Sequence, residues 1–175
     1  MAGRSATAMS RRTGGQMVPG EGPLPCLALI LGEAPGKVET QLGRPFVGPS
    51  GAFLDQALHL LDFDRSEAYI TNVVKEWPRN EVGATRRPTN AEIVRWQPVF
   101  KEELEACSPG AVLLLGKTAA ESWGYTPELA ESNIFTAWHP AFVLRKMQTD
   151  SEIVSKWFFQ LNPFIQTVKD LRQHL

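Results

Sequence analysis

The sequence predicts an α/β fold, a three-layer α/β/α sandwich with a central four-stranded parallel sheet. Three observations predict it. Four short runs of apolar and β-branched residues have strand length and are punctuated by Gly and Pro. Stretches of helical period lie between them. The runs read as near-continuously apolar, the pattern of strands covered on both faces by helices.

In chain order, Cys26 to Leu31 is the first strand, between Pro25 and Gly32. Gly51 to Leu61 follows as a helix, with Phe53, Leu54, Ala57, Leu58 and Leu61 on one stripe. Tyr69 to Val74 is rich in β-branched residues and forms the second strand. Thr89 to Leu104 opens with Thr89 and, three residues on, Glu92, the pattern of a capping box. Pro98 is expected to kink that helix. Ala111 to Leu115 is the third strand, Lys117 to Trp123 a short helix, and Asn133 to Ala137 the fourth strand. Ser151 to Leu175 is helical in tendency, with a break or kink expected at Asn162-Pro163. Residues 1–24 are small, polar and Gly/Pro-rich, and are expected to be a flexible tail ahead of a single domain, 25–175.

The 175 residues are too few for a typical (β/α)₈ barrel of roughly 250. No run of about 18 apolar residues suggests a membrane span. Two cysteines cannot build a disulfide framework. With no secretory signature either, a reducing, cytoplasmic setting and a monomer are expected. The net charge is −1, and about −3 once the tail, with Arg4, Arg11 and Arg12 against Glu21, is set aside. That balance argues against a protein held to nucleic acid by charge alone.

In parallel sheets, ligands bind beyond the C-terminal strand ends. The stretches to inspect are therefore Gly32 to Gly36, Asn72 to Lys75, Gly116 to Thr118, and Trp138 to Pro140. Two motifs there or nearby fail. Gly110 to Thr118 imitates a P-loop but has five residues between its glycines, all of them apolar strand residues, so no NTP site is expected. Gly116-Lys117 keeps a weaker reading, a helix start able to meet one phosphate. Gly48-Pro-Ser-Gly51 lacks the spacing of a nucleophile elbow, and Ser50 reads better as part of a capped helix start.

One ordered set of motifs is specific. Gly32-Glu-Ala-Pro-Gly-Lys-Val-Glu39, Gly43-Arg-Pro-Phe-Val-Gly48, Tyr69-Ile-Thr-Asn-Val-Val-Lys75, Arg87-Pro-Thr-Asn-Ala-Glu-Ile93 and His139-Pro-Ala-Phe-Val-Leu-Arg145 occur in that order. Together they resemble the uracil-DNA glycosylase superfamily, and most nearly its family-4 branch. The resemblance implies a DNA-repair enzyme that flips uracil out of DNA and hydrolyses its N-glycosidic bond, leaving an abasic site. A same-fold glycosylase for hypoxanthine or a mismatched base, and a degenerate homologue that only binds DNA or a partner, stay open beside it.

The resemblance assigns roles that suit the residue types. Phe46 would stack on the flipped base, where stacking is worth about 1–3 kcal/mol. Otherwise it is a core phenylalanine after a turn. Asn72 would read the uracil edge, since a carboxamide both donates and accepts. Otherwise it caps backbone. Gly32 and Ala34 would flank the base. His139 would donate to the uracil O2 as negative charge develops there, a contribution of about 2.7–4 kcal/mol. For the attacking water, Glu39 is the first choice and Glu33 the second; Glu33 otherwise satisfies helix N-terminal amides. Phe142, Val143 or Leu144 would enter the base stack, with Arg145 on a phosphate. Ser50, Lys75, Gly116 and Lys117 are further DNA contacts. Arg79, Arg86 and Arg87 form a basic run with Lys75 that is either DNA-facing or simply solvated.

The chain also departs from that family. Family-4 proteins carry an iron–sulfur cluster on four cysteines, one after the matching lysine and one in the next helix. Here those positions hold Glu76 and Trp96, and Cys26 and Cys107 match no ligand position. No cluster and no other metal or cofactor is expected, with Trp77 and Trp96 packing in its place. The loop after Lys75 is about four residues longer, by Glu81 to Ala84. No His lies between Glu33 and His59, which excludes the superfamily's covalent trapping of the sugar.

Overall fold

The computed structural model describes residues 16–124 and 133–174. Four strands, β1 (Ala28–Gly32), β2 (Ala68–Asn72), β3 (Ala111–Leu115) and β4 (Asn133–Ala137), form one parallel sheet in the order β2-β1-β3-β4. The helices are α1 (Lys37–Leu42), α2 (Pro49–Leu60), α3 (Asn90–Cys107), α4 (Lys117–Trp123), α5 (Pro140–Lys146) and α6 (Ile153–Gln173). A 3-10 turn, Arg65–Glu67, leads into β2.

The strands sort their side chains by parity. Ala28 and Ile30 of β1 and Leu113 and Leu115 of β3 meet α2, α5 and α6 on one face. Leu29 and Leu31, with Val112 and Leu114, meet α3 and α4 on the other. This is the expected three-layer sandwich, its sheet covered on both sides. The edge strand β4 departs from the expectation: Asn133, Ile134 and Thr136 are exposed, whereas β2 at the other edge is buried throughout.

Both internal prolines sit inside continuous helices, Pro98 in α3 and Pro163 in α6. The expected break at Asn162-Pro163 does not occur. A proline frees the carbonyl four residues earlier. Those residues, Val94 and Phe159, are 62% and 80% exposed, so water can satisfy the freed groups. Trp157, Leu161, Phe164, Ile165 and Val168, all essentially buried, meanwhile hold α6 to the sheet. Thr89 and Glu92 form the expected capping box on α3. Helix α2 starts two residues earlier than expected, with Gly48 as N-cap and Pro49 in its first turn, so Ser50 is not the cap. Helix α1 has no counterpart among the expected elements.

The expected tail is shorter than 24 residues. Val18 is buried and its N–H donates to the Lys75 carbonyl at 2.7 Å. Glu21 bridges to Ile70 of β2 and pairs with Arg44 and Arg65. Residues 1–15 lie outside the described residues.

Candidate functional site

A cavity of about 530 Å³ opens beyond the C-terminal ends of the strands. Its lining brings together Glu33, Ala34, Glu39, Phe46, Ser50, Asn72, Gly116, Lys117, His139, Phe142 and Arg145, most of the residues singled out from the sequence.

The floor is set by close approach. Gly32 ends β1, and a Cβ there would lie 2.4 Å from Asn72 Oδ1 and 2.4 Å from Phe46 Cζ. Only glycine lets those two side chains converge. Asn72 is 2% exposed, and its Oδ1 has no hydrogen-bond partner among the described residues. A buried acceptor left unpaired costs about 1–3 kcal/mol. The Asn72 oxygen is thus free, among the described residues, to accept from a group in the cavity.

Phe46 adopts a left-handed backbone, φ 51°, which bulky residues avoid. Its loop is pinned from two sides. The Arg65 guanidinium donates to the carbonyls of Pro45 and Phe46 at 2.6 and 2.8 Å. Glu39 accepts from the N–H groups of Gly36, Val47 and Gly48 at 3.1, 3.1 and 2.6 Å. Both Glu39 oxygens thus serve backbone, and the residue expected first as water handler is engaged as a loop brace. Gly51 completes the fit, because a Cβ there would sit 2.0 Å from the Phe46 carbonyl oxygen.

His139 is the N-cap of α5, and its Nδ1 accepts from the Ala141 N–H at 3.2 Å. That bond puts the ring proton on Nε2, the nitrogen left for the cavity. Burial, with the Arg145 charge adding to it and Glu39 opposing, pulls the imidazole down to about 4. The ring is therefore a neutral Nε2–H donor at physiological pH. The Phe46 ring lies 5.7 Å away, tilted by 31°. Gly116 has φ 89°, and a Cβ on it would approach His139 Cβ to 3.2 Å.

Glu33 is partly exposed on the cavity wall and accepts a short hydrogen bond from the Thr118 hydroxyl. Of the two candidate carboxylates it is the one with an oxygen not committed among the described residues. Phe142 packs on Trp138, with ring centroids 5.9 Å apart. Val143 is fully buried in the core and so is no wedge. Leu144 is partly exposed and outside the cavity lining. Arg145 and Lys117 are exposed at the rim.

Lys75 corrects an expectation. It is fully buried, not DNA-facing: its Nζ donates to Thr71 Oγ1 at 2.7 Å, to the Asn72 carbonyl at 2.5 Å and to Glu103 at 2.5 Å. Burial pushes the ammonium down, while Glu103 holds it up. Its work is to fix the backbone of Asn72. Neither its partner Glu103 nor Arg65 shows in the sequence pattern, because nothing local links residues so far apart.

An iron–sulfur cluster needs thiolates. Glu76, at the first matching position, pairs instead with Arg95, and Arg95 lies 5.9 Å over the ring of Trp96, which is fully buried at the second. The residues present do not fit such a cluster. Trp77 is only partly buried and belongs to the loop beyond.

The family model of the uracil DNA glycosylase superfamily matches residues 19–172. The chain belongs to that superfamily. It is 38% identical over 105 residues to a type-4 uracil-DNA glycosylase of Pyrobaculum aerophilum, covering 60% of this chain and 52% of that protein. It is 31% identical over 147 residues to one of Sulfurisphaera tokodaii, covering 73% and 65%. The chain thus spans between half and two thirds of the length of these relatives. A solution NMR structure of a candidate uracil DNA glycosylase from Methanosarcina acetivorans shares the fold, with a TM-score of 0.53 at 12% identity over 85% of this chain and 97% of that one. No helix among the described residues is long and apolar enough to cross a membrane.

Proposed function

We propose that this chain is a monofunctional uracil-DNA glycosylase acting without a metal cluster. The observation that carries the reading is the buried, unpartnered Asn72 Oδ1 on the same cavity as a neutral His139. Uracil presents N3–H as donor beside O4 as acceptor, and a carboxamide answers both. Cytosine reverses both, so it would leave the buried Asn72 oxygen facing a lone pair.

The flipped base enters the cavity and stacks on Phe46, offsetting the few kcal/mol of extrusion. As the glycosidic bond breaks, its electron pair moves onto the base. His139 Nε2–H donates to the uracil O2, where the charge accumulates. A neutral imidazole suits this role, since it stabilises an anion without surrendering a full proton. Glu33, braced by Thr118, orients the attacking water, and its charge favours the cationic sugar. Lys117 and Arg145 meet phosphates, and Phe142 fills the space the base vacates.

An oligonucleotide carrying one deoxyuridine, incubated with the protein and then treated with alkali, tests the reading. Strand scission is expected for the wild type and a loss of about 10²–10³-fold in rate for His139→Ala. Scission only at hypoxanthine or at a mismatched base would move the specificity. Tight binding without scission would make the chain a binding module.

A further inference from the structure

The loop after β2 is a hairpin whose base forms part of the cavity. Arg79 and Thr85 bridge across it, Asn80 N–H donates to the Ala84 carbonyl at 2.9 Å, and Gly83, at φ 78°, closes the turn onto the Asn80 carbonyl. The hairpin is clamped to α3, where Arg86 binds both oxygens of Glu92 at 2.8 and 2.9 Å, and is braced within itself, where the Trp77 indole donates to Thr85.

Those bonds divide the arginines. Arg86 is spent on Glu92, and Arg79 lies 5.6 Å over the Trp77 ring. Arg87 is exposed, lines the cavity, and has no side-chain ion pair among the described residues. The sheet order puts it opposite Arg145. The hairpin leaves β2 at one sheet edge, and α5 follows β4 at the other. Three strand spacings separate those edges, on the order of 14 Å. Two exposed guanidinium groups, neither in an ion pair among the described residues, thus reach the same cavity from segments at opposite sheet edges.

The geometry points to a second phosphate site at Arg87, resting on the glycosylase reading above. The strand carrying the flipped base runs across the strand ends, held on the β4 side by Arg145 and on the β2 side by Arg87. Arg86 and Trp77 position the hairpin without touching DNA.

Each phosphate neutralised adds about one unit to the slope of log affinity against log salt. The probe is a fluorescent oligonucleotide carrying one 2′-fluoro-2′-deoxyuridine, which resists cleavage, with binding read by anisotropy across salt concentrations. Arg87→Ala is expected to weaken binding severalfold at low salt and lower the slope by about one, as is Arg145→Ala, with the double variant losing both. Arg87→Lys should keep the slope. The Arg87 side chain makes no hydrogen bond or ion pair among the described residues, so thermal midpoints should match. An unchanged slope in Arg87→Ala beside a lowered one in Arg145→Ala overturns the inference and leaves the glycosylase reading standing. No salt-dependent binding by the wild type, or a slope lost equally by Arg87→Lys, also overturns it, and the first of these takes the underlying reading with it.

Discussion

Two sets of polar residues crowd the same end of the sheet, and they are built in opposite ways. On the β1–β2 side, Glu39, Arg65 and Lys75 spend their hydrogen-bonding capacity on the protein itself. Around the cavity, Asn72, His139, Arg87 and Arg145 each keep a group that is unpaired among the described residues. The difference teaches that matching a motif does not assign a role. Lys75 lies in the same motif as Asn72, and Glu39 in the motif just before that of Phe46, yet their hydrogen bonds go to the protein itself.

The sharpest way to break the comparison is to remove a brace. Lys75→Ala leaves the mostly buried Glu103 without its cation and should cost about 3 kcal/mol in denaturant unfolding. A cost near zero would mean that Lys75 is not a structural element. Next comes His139→Ala, expected to lose about 2.7–4 kcal/mol of transition-state stabilisation while unfolding with nearly the wild-type midpoint. Equal losses in stability and rate would erase the distinction.

The carboxylates sharpen it further. Glu33→Gln should reduce the single-turnover rate and spare stability. Glu39→Gln removes the charge accepting three backbone N–H groups and should lower stability by about 1–3 kcal/mol. The reverse pattern would return Glu39 to the water.

A smaller effect concerns acid. The His139 imidazole stays neutral in the fold down to about 4, whereas the unfolded chain protonates it near 6.5. Between those values the unfolded state binds more protons, so stability falls as pH drops. His139→Gln should flatten that part of the stability curve, read by thermal unfolding at several pH values.

Much of this was legible in the sequence for a physical reason. Strand ends, the glycines at 32 and 116, and Phe46, Asn72 and His139 are local patterns that the fold carries to one place. Pro163 does not break α6, because the burial that holds the helix together comes from the sheet. Lys75 was misread because its partner Glu103 lies 28 residues on, across the sheet face. Glu39 looked catalytic because its partners are backbone amides, which leave no mark in a sequence.

The most direct test is the release of free uracil, measured chromatographically under single turnover from DNA with one deoxyuridine, by wild type and by His139→Ala. Stoichiometric uracil is expected from the wild type without added iron, and a rate about 10²–10³-fold lower from the variant. No uracil from the folded wild type, or equal rates from the two proteins, would contradict it.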